Sequence, residues 1–196
     1  MLLHILQNKF ITLRPPSNWD DQNDKELMRS YSEAKNNKTC LALCFAQAAE
    51  TYHHWKIFSP GYDGACIVFN KNELIHKADH ENIRHGSVKY LSLEKIKKNE
   101  PTLEDFPFSK RSAYRDEKEY RFLFESIDDE LEEKIIPIDR ETINRIIINP
   151  WMHESLFTST AKMISSISSF EATTVRQSTI ISSRQWKALA NDYTAR

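Results

Sequence analysis

Three glycines, Gly61, Gly64 and Gly86, are all that 196 residues contain. Loops that bring backbone N–H groups against a phosphate, whether of the P-loop or the dinucleotide-binding type, need several glycines within a few residues. No such spacing exists here, so both large nucleotide-binding enzyme classes drop out. The three cysteines, Cys40, Cys44 and Cys66, are an odd number placed in or beside apolar runs. That pattern reads as buried thiols in a reducing compartment, the cytoplasm, and not as a disulfide framework.

Lys and Arg total 27 against 28 Asp and Glu, so no global field draws the protein to nucleic acid or to an anionic membrane. A nucleic-acid contact would have to be local, through Lys95, Lys97, Lys98, Lys110 and Arg111. The N-terminal Met1 to Leu6 stretch turns polar too soon for a signal peptide, and no run of about 18 apolar residues occurs. The expectation is a protein neither exported nor membrane-spanning. With 40% hydrophobic and 28% charged residues, the chain can fill the core of one domain spanning 1–196.

Apolar periodicity predicts an α+β fold, with a mixed, mostly antiparallel central sheet, whole or split, and flanking helices. A first strand at 11–13 ends at Pro15-Pro16. Asp24 is the expected N-cap of a helix over 25–35. The apolar run at 39–46 reads as a central strand covered on both faces. A turn at 60–64 leads into a strand at 65–69, and Asn70 with Glu73 suggests a capped helix reaching His80. A strand at 87–91, a lysine-rich helix at 93–99 and a loop at 101–109 follow. Residues 119–125 and 134–138 read as an antiparallel pair joined by the acidic 128–133 turn. Further strands are expected at 143–148, 173–176 and 179–181, with helices over 153–167 and after a Ser183 cap.

Side chains two apart on a strand share a face, so Glu117, Glu119 and Arg121 are expected in one row, with Tyr120, Phe122 and Phe124 opposite. Two carboxylates about 7 Å apart with an arginine alongside can split their pKa values and supply a base or an anchor for a substrate hydroxyl. From spacing alone the row reads first as a solvated face with a Glu–Arg pair, since charged faces are usually exposed surfaces. His53-His54-Trp55 with Phe58 forms an aromatic segment where a planar ligand could stack, or where Trp55 is core. His76 and His80 have the spacing that lets two imidazoles share a metal, but no HExxH pattern accompanies them, and no metal is expected. No nucleophile-elbow signature surrounds any Ser or Cys. Arg14, at the end of the first strand, is a candidate anion contact.

Cys44-Phe45, then His54-Trp55 with Phe58, Gly64 and Cys66 to Phe69, then Lys110-x-x-x-Tyr114-x-x-Glu117-x-Glu119-x-Arg121 together resemble the bacterial family known as domain of unknown function 2971. Asn23-Asp24 agrees with its early Asn-Asp loop, and the resemblance is read over most of the chain. Ala46 stands where the family has Ser, Phe58 where it has Tyr and Tyr114 where it has Trp. The family's initial aromatic-rich strand is not expected, because the chain begins after that point in the pattern. The family's bacterial and mobile-element settings imply phage defence or a toxin-like role. Its layout is also similar to ADP-ribosyltransferase-like folds. That likeness implies NAD as substrate, with Glu117 or Glu119 holding the ribose, Trp55 or Phe58 stacking, His54 and Lys110 with Tyr114 lining the site, and Arg14 or Arg121 contacting phosphate. Two other function classes stay open: a non-catalytic nucleotide- or protein-binding module, and a nucleic-acid-binding protein.

Overall fold

The computed structural model describes residues 1–194. In chain order its elements are α1 (Leu2–Asn8), β1 (Phe10–Leu13), α2 (Gln22–Ala34), β2 (Thr39–Ala46), α3 (Tyr52–Phe58), β3 (Ala65–Phe69), α4 (Lys71–His80), β4 (Arg84–Ser87), β5 (Lys89–Leu91), α5 (Leu93–Lys98), β6 (Ser109–Arg111), β7 (Glu119–Ser126), β8 (Lys134–Pro137), β9 (Ile143–Ile148), α6 (Glu154–Ser165), β10 (Thr174–Gln177) and α7 (Arg184–Thr194). Short 3-10 helices occupy Pro16–Asn18, Leu103–Phe108 and Ser112–Glu117. The class is α+β, as the periodicity predicts, and the strand pairings are mostly antiparallel. The chain divides into two compact units, one of Met1–Lys9, Glu50–Lys71 and Ile138–Arg196, the other of Phe10–Ala49 and Asn72–Pro137. Among the described residues no helix is long and apolar enough to cross a membrane.

The second unit is built on the sheet β2-β7-β4. β2 and β7 pair antiparallel over eight residues, from Thr39 opposite Ser126 to Ala46 opposite Glu119. β7, not β2, is the middle strand. β2 is covered on both faces over its first half, Thr39 to Ala42, while Cys44 and Ala46 are exposed; along its other edge the described residues form an Arg14–Ala42 bridge. Met28 and Tyr31 of α2 pack with Ala42 and Leu123, and Trp19, Cys40 and Phe108 close around them. The helix starts earlier than the sequence suggests because Asp21 is the N-cap, its carboxylate accepting from the Asn23 amide at 3.0 Å. Asp24 lies inside the first turn and is left with another task.

β8 does not form a hairpin with β7; it pairs with β1, Phe10 opposite Pro137. The Thr39 hydroxyl donates to the Asp129 carbonyl at 2.5 Å and accepts from the Leu131 amide at 2.8 Å. These bonds hold the acidic segment at the start of β2, so the chain beyond it does not fold back along β7. The strand expected at 87–91 is two: β4 ends at Ser87, and β5 pairs in parallel with β6. The loop expected at 101–109 is tightened into a 3-10 turn, capped by Thr102 and Asp105.

The first unit holds the sheet β10-β9-β3. Ile143, Ile146, Ile147 and Ile148 are buried in β9, and α6 makes the crossover to the parallel strand β10. Asn149, fully buried, anchors the glycine turn: its Nδ2 donates to Ser59 Oγ at 3.0 Å and to the Gly61 carbonyl at 3.1 Å, while its amide donates to the Gly64 carbonyl at 2.9 Å. Residues 179–181 form a turn closed by the Ser182 amide on the Thr179 carbonyl at 3.0 Å, not a strand. The Ser183 hydroxyl accepts from the Trp186 amide at 3.3 Å, capping α7 as expected.

Candidate functional site

The carboxylate row of the sequence is an interior ion-pair cluster in the structure. Glu119 opens β7 at 4% exposure and Arg121 beside it is fully buried. Glu117 is not on the strand: it ends the 3-10 turn, and Lys118, in the left-handed conformation at φ 46°, separates it from β7. It converges on Glu119 nonetheless, because Lys110 of β6 reaches both, at 2.7 Å from Glu117 Oε2 and 3.0 Å from Glu119 Oε2. The Tyr114 ring lies 4.7 Å from the Lys110 ammonium.

Arg121 makes four hydrogen bonds to oxygen. Nε donates to Glu119 Oε1 at 2.7 Å, and the two terminal nitrogens grip Asp24 at 3.0 and 2.7 Å. Nη1 also donates to the Pro107 carbonyl at 2.9 Å, and Nη2 lies 2.7 Å from Glu119 Oε1 as an ion pair. Five donors in a planar fork fit this arrangement of acceptors, which a lysine could not satisfy. The Trp19 ring lies 4.6 Å from the guanidinium carbon. The Tyr90 hydroxyl accepts from the Glu119 amide at 2.8 Å.

Burial alone would raise the Glu119 carboxyl; Arg121, a hydrogen bond with Cys44 and Lys110 outweigh it and hold the group below its usual range. Asp24 goes the other way, since burial exceeds what Arg121 returns, and its carboxyl is raised. Lys110 is held above the usual lysine range: burial opposes this, but Glu117 and Glu119 prevail. Three carboxylates face two cations, leaving one excess negative charge. Both oxygens of Glu119 and both of Asp24 are engaged. Only Glu117, partly exposed, keeps an oxygen, Oε1, without a hydrogen bond.

The remaining candidates lie elsewhere. Arg14 pairs with Glu133 at 2.6 Å on the surface of the second unit. His54, Trp55 and Phe58 belong to the first unit, on α3, whose cap is the Thr51 hydroxyl accepting from the His54 amide at 3.1 Å. Trp55 is the one buried residue of this helix and donates Nε1 to Glu50 at 2.9 Å. Phe58 is the open ring of the pair, 62% exposed, with His54 at 6.0 Å. Lys56 lies 4.0 Å from the Trp151 ring centre. His76 and His80 bring their Nε2 atoms to 3.3 Å, and among the described residues no group of three or more metal-ligating side chains gathers. In the basic stretch, Lys110 is already neutralised within the cluster.

Sequence reasoning missed Asp24, Trp19 and Tyr90 as members of the cluster. It also missed a chain in which His85 lies 3.0 Å from Asp79 Oδ1 and 2.8 Å from the Tyr120 hydroxyl. Burial, aided by Asp79, raises the Tyr120 phenol. Through these two contacts the chain links α4 to the sheet.

No curated protein and no solved structure matches the chain. Asn23-Asp24 and Cys44-Phe45 lie outside the one segment that a family model recognises. Residues 54–122, which take in α3 from His54 onward and the whole Lys110, Tyr114, Glu117, Glu119 and Arg121 pattern, match the model of a family described as Protein of unknown function (DUF2971).

Proposed function

We propose that the protein is a non-catalytic binding module that docks a partner protein through the outer face of α3 and the turn behind it. The observation that carries this reading is the exposure of Ile57 at 68%, Phe58 at 62% and Tyr62 at 71%. Side chains of this size recover roughly 1.5–3 kcal/mol each when buried. A helix that buries Trp55 alone and leaves Ile57 and Phe58 in water therefore has a strong drive toward a partner. Lys56 and His53 supply a polar rim of the kind interfaces carry. The saturated carboxylates of the second unit agree with a scaffold role for the Glu119 row. The resemblance to a family of bacterial and mobile-element settings gives such a module a place in phage defence. The test is affinity capture with the wild type and with Ile57→Ser/Phe58→Ser, both verified as folded by circular dichroism. A partner retained by the wild type and lost by the variant supports the reading, and identical captured sets overturn it.

A second reading, an NAD-consuming enzyme similar to ADP-ribosyltransferases or glycohydrolases, is favoured by one observation, the uncommitted Oε1 of Glu117. On that reading Lys110 positions Glu117 by its 2.7 Å hydrogen bond to Oε2, and Glu117 accepts a ribose hydroxyl and favours the departure of nicotinamide. Nicotinamide release from NAD by the purified protein, abolished in Glu117→Gln, would establish it over the binding module. Absence of release in the wild type would remove it.

A further inference from the structure

In the sheet β10-β9-β3 of the first unit, β9 is the middle strand and the other two are edges. An edge strand offers a row of main-chain donors and acceptors to any other strand, and proteins guard such edges with charge or proline. β10 carries Arg176. β3 reads Ala65-Cys66-Ile67-Val68-Phe69, without charge or proline, and is half-buried along its whole length. Among the described residues no strand lies beyond it.

The hydrogen bonds of β9 fix which groups of β3 face outward. The Asn149 amide donates to the Gly64 carbonyl at 2.9 Å, while the Ile148 carbonyl accepts from the Ser178 amide at 2.9 Å, on the β10 side. Gly64 and Asn149 are therefore a hydrogen-bonded pair, and the antiparallel ladder alternates from there. Cys66 and Val68, opposite Ile147 and Arg145, turn their N–H and C=O groups to β9; Ala65 and Ile67, opposite Ile148 and Ile146, turn theirs away.

This edge is complementary to itself. With a second copy antiparallel and the two-fold axis at Ile67, the two Ile67 residues exchange a pair of hydrogen bonds, and Ala65 falls opposite Phe69 of the partner subunit, small against large. An uncharged strand paired with itself opposes no like charges. Its flanks go further: exposed Asp63 precedes the strand and exposed Lys71 follows it, so each Asp63 stands opposite Lys71 of the partner subunit. We infer that β3 is a homodimer edge, through which two copies join their three-stranded sheets into one continuous sheet. The edge is distinct from the α3 face, and the binding reading above does not depend on it.

Analytical ultracentrifugation of the full chain tests it. At about 100 μM the wild type should sediment as a dimer. Ile67→Pro removes the outward N–H and no bond to β9, and should sediment as a monomer. Asp63→Lys changes only an exposed side chain; it should weaken the dimer about tenfold, and adding Lys71→Asp should restore it. Register has its own readout: in Val68→Cys the new thiol lies opposite Cys66 of the partner subunit in a non-hydrogen-bonded pair, with Cα atoms about 4.5 Å apart, within disulfide reach. Diamide should then give a covalent dimer whose bridge, mapped by mass spectrometry, joins positions 66 and 68. A monomeric wild type, a dimer unchanged in folded Ile67→Pro, or an Asp63→Lys dimer that is either undiminished or not restored by Lys71→Asp would each overturn the inference. Absence of the 66–68 bridge would overturn the register.

Discussion

Replacing Arg121 by Met keeps the side chain long and apolar but removes every N–H donor. Those donors hold Asp24 at 3.0 and 2.7 Å, Glu119 at 2.7 Å and the Pro107 carbonyl at 2.9 Å. Asp24 and Glu119 are both buried, so the variant strands two carboxylates away from water. Breaking a buried pair by deleting one partner costs roughly 3–5 kcal/mol. Lys110, 3.0 Å from Glu119 and 3.9 Å from Asp24, still compensates part of the charge, so the loss belongs in that range and not at twice it. Against a total stability of about 5–15 kcal/mol the effect is large. At roughly 2–4 °C per kcal/mol for a chain of this length, the Tm of Arg121→Met should fall by about 6–20 °C. Adding Asp24→Asn to Arg121→Met removes one stranded charge and should recover part of the loss, although Asp24→Asn in the wild type destabilises. Calorimetry and urea unfolding of the four proteins check this. A loss below about 1 kcal/mol for Arg121→Met, or a double variant weaker than Arg121→Met, would refute the argument.

Gly64→Ala should cost about 1–3 kcal/mol, since an added Cβ meets Ser59 Oγ at 1.7 Å and Ser59 Cβ at 2.6 Å; an unchanged urea midpoint would contradict this. Burial pushes the Cys40 thiol up to about 11, leaving a thiolate fraction on the order of 0.1% at pH 8. Its labelling by Ellman's reagent, followed by mass spectrometry, should run at least about a hundredfold slower in native protein than in urea, and equal rates would contradict the burial. Acid should destabilise the fold through depressed carboxyls that include Glu119 and Asp105, the latter held at about 2 by Lys89 and Thr102. Their contribution is present above the unfolded value near about 4 and is lost as pH falls through the folded values. The raised Asp24 acts in the opposite sense and offsets part of the loss. Urea midpoints measured from pH 5 to pH 2 should decline, and less steeply in Asp105→Asn; a flat profile would contradict the assignment.

The parts of this fold that were legible are those written in local pattern. The apolar run of β2, the isoleucines of β9 and the Ser183 cap of α7 each lie within a few residues of the structure they dictate. What was not legible depends on partners far along the chain. Asp24 looks like a cap in sequence, but Asp21 fills that position and frees Asp24 to meet an arginine 97 residues away. The acidic 128–133 segment looks like a hairpin turn, yet Thr39 ties it down and β8 pairs with β1. Glu117 was placed with the right neighbours for the wrong reason: Lys110 gathers it to Glu119 from a 3-10 turn, not the strand period.

The proposed cover of the α3 face by another protein can be tested directly. Benzoylphenylalanine placed at Phe58, and as a control at the exposed Leu156 of α6, allows photo-crosslinking in the native host. The account predicts one discrete protein adduct from position 58 and none of that mass from position 156. No adduct from position 58, or the same adducts from both positions, would contradict it.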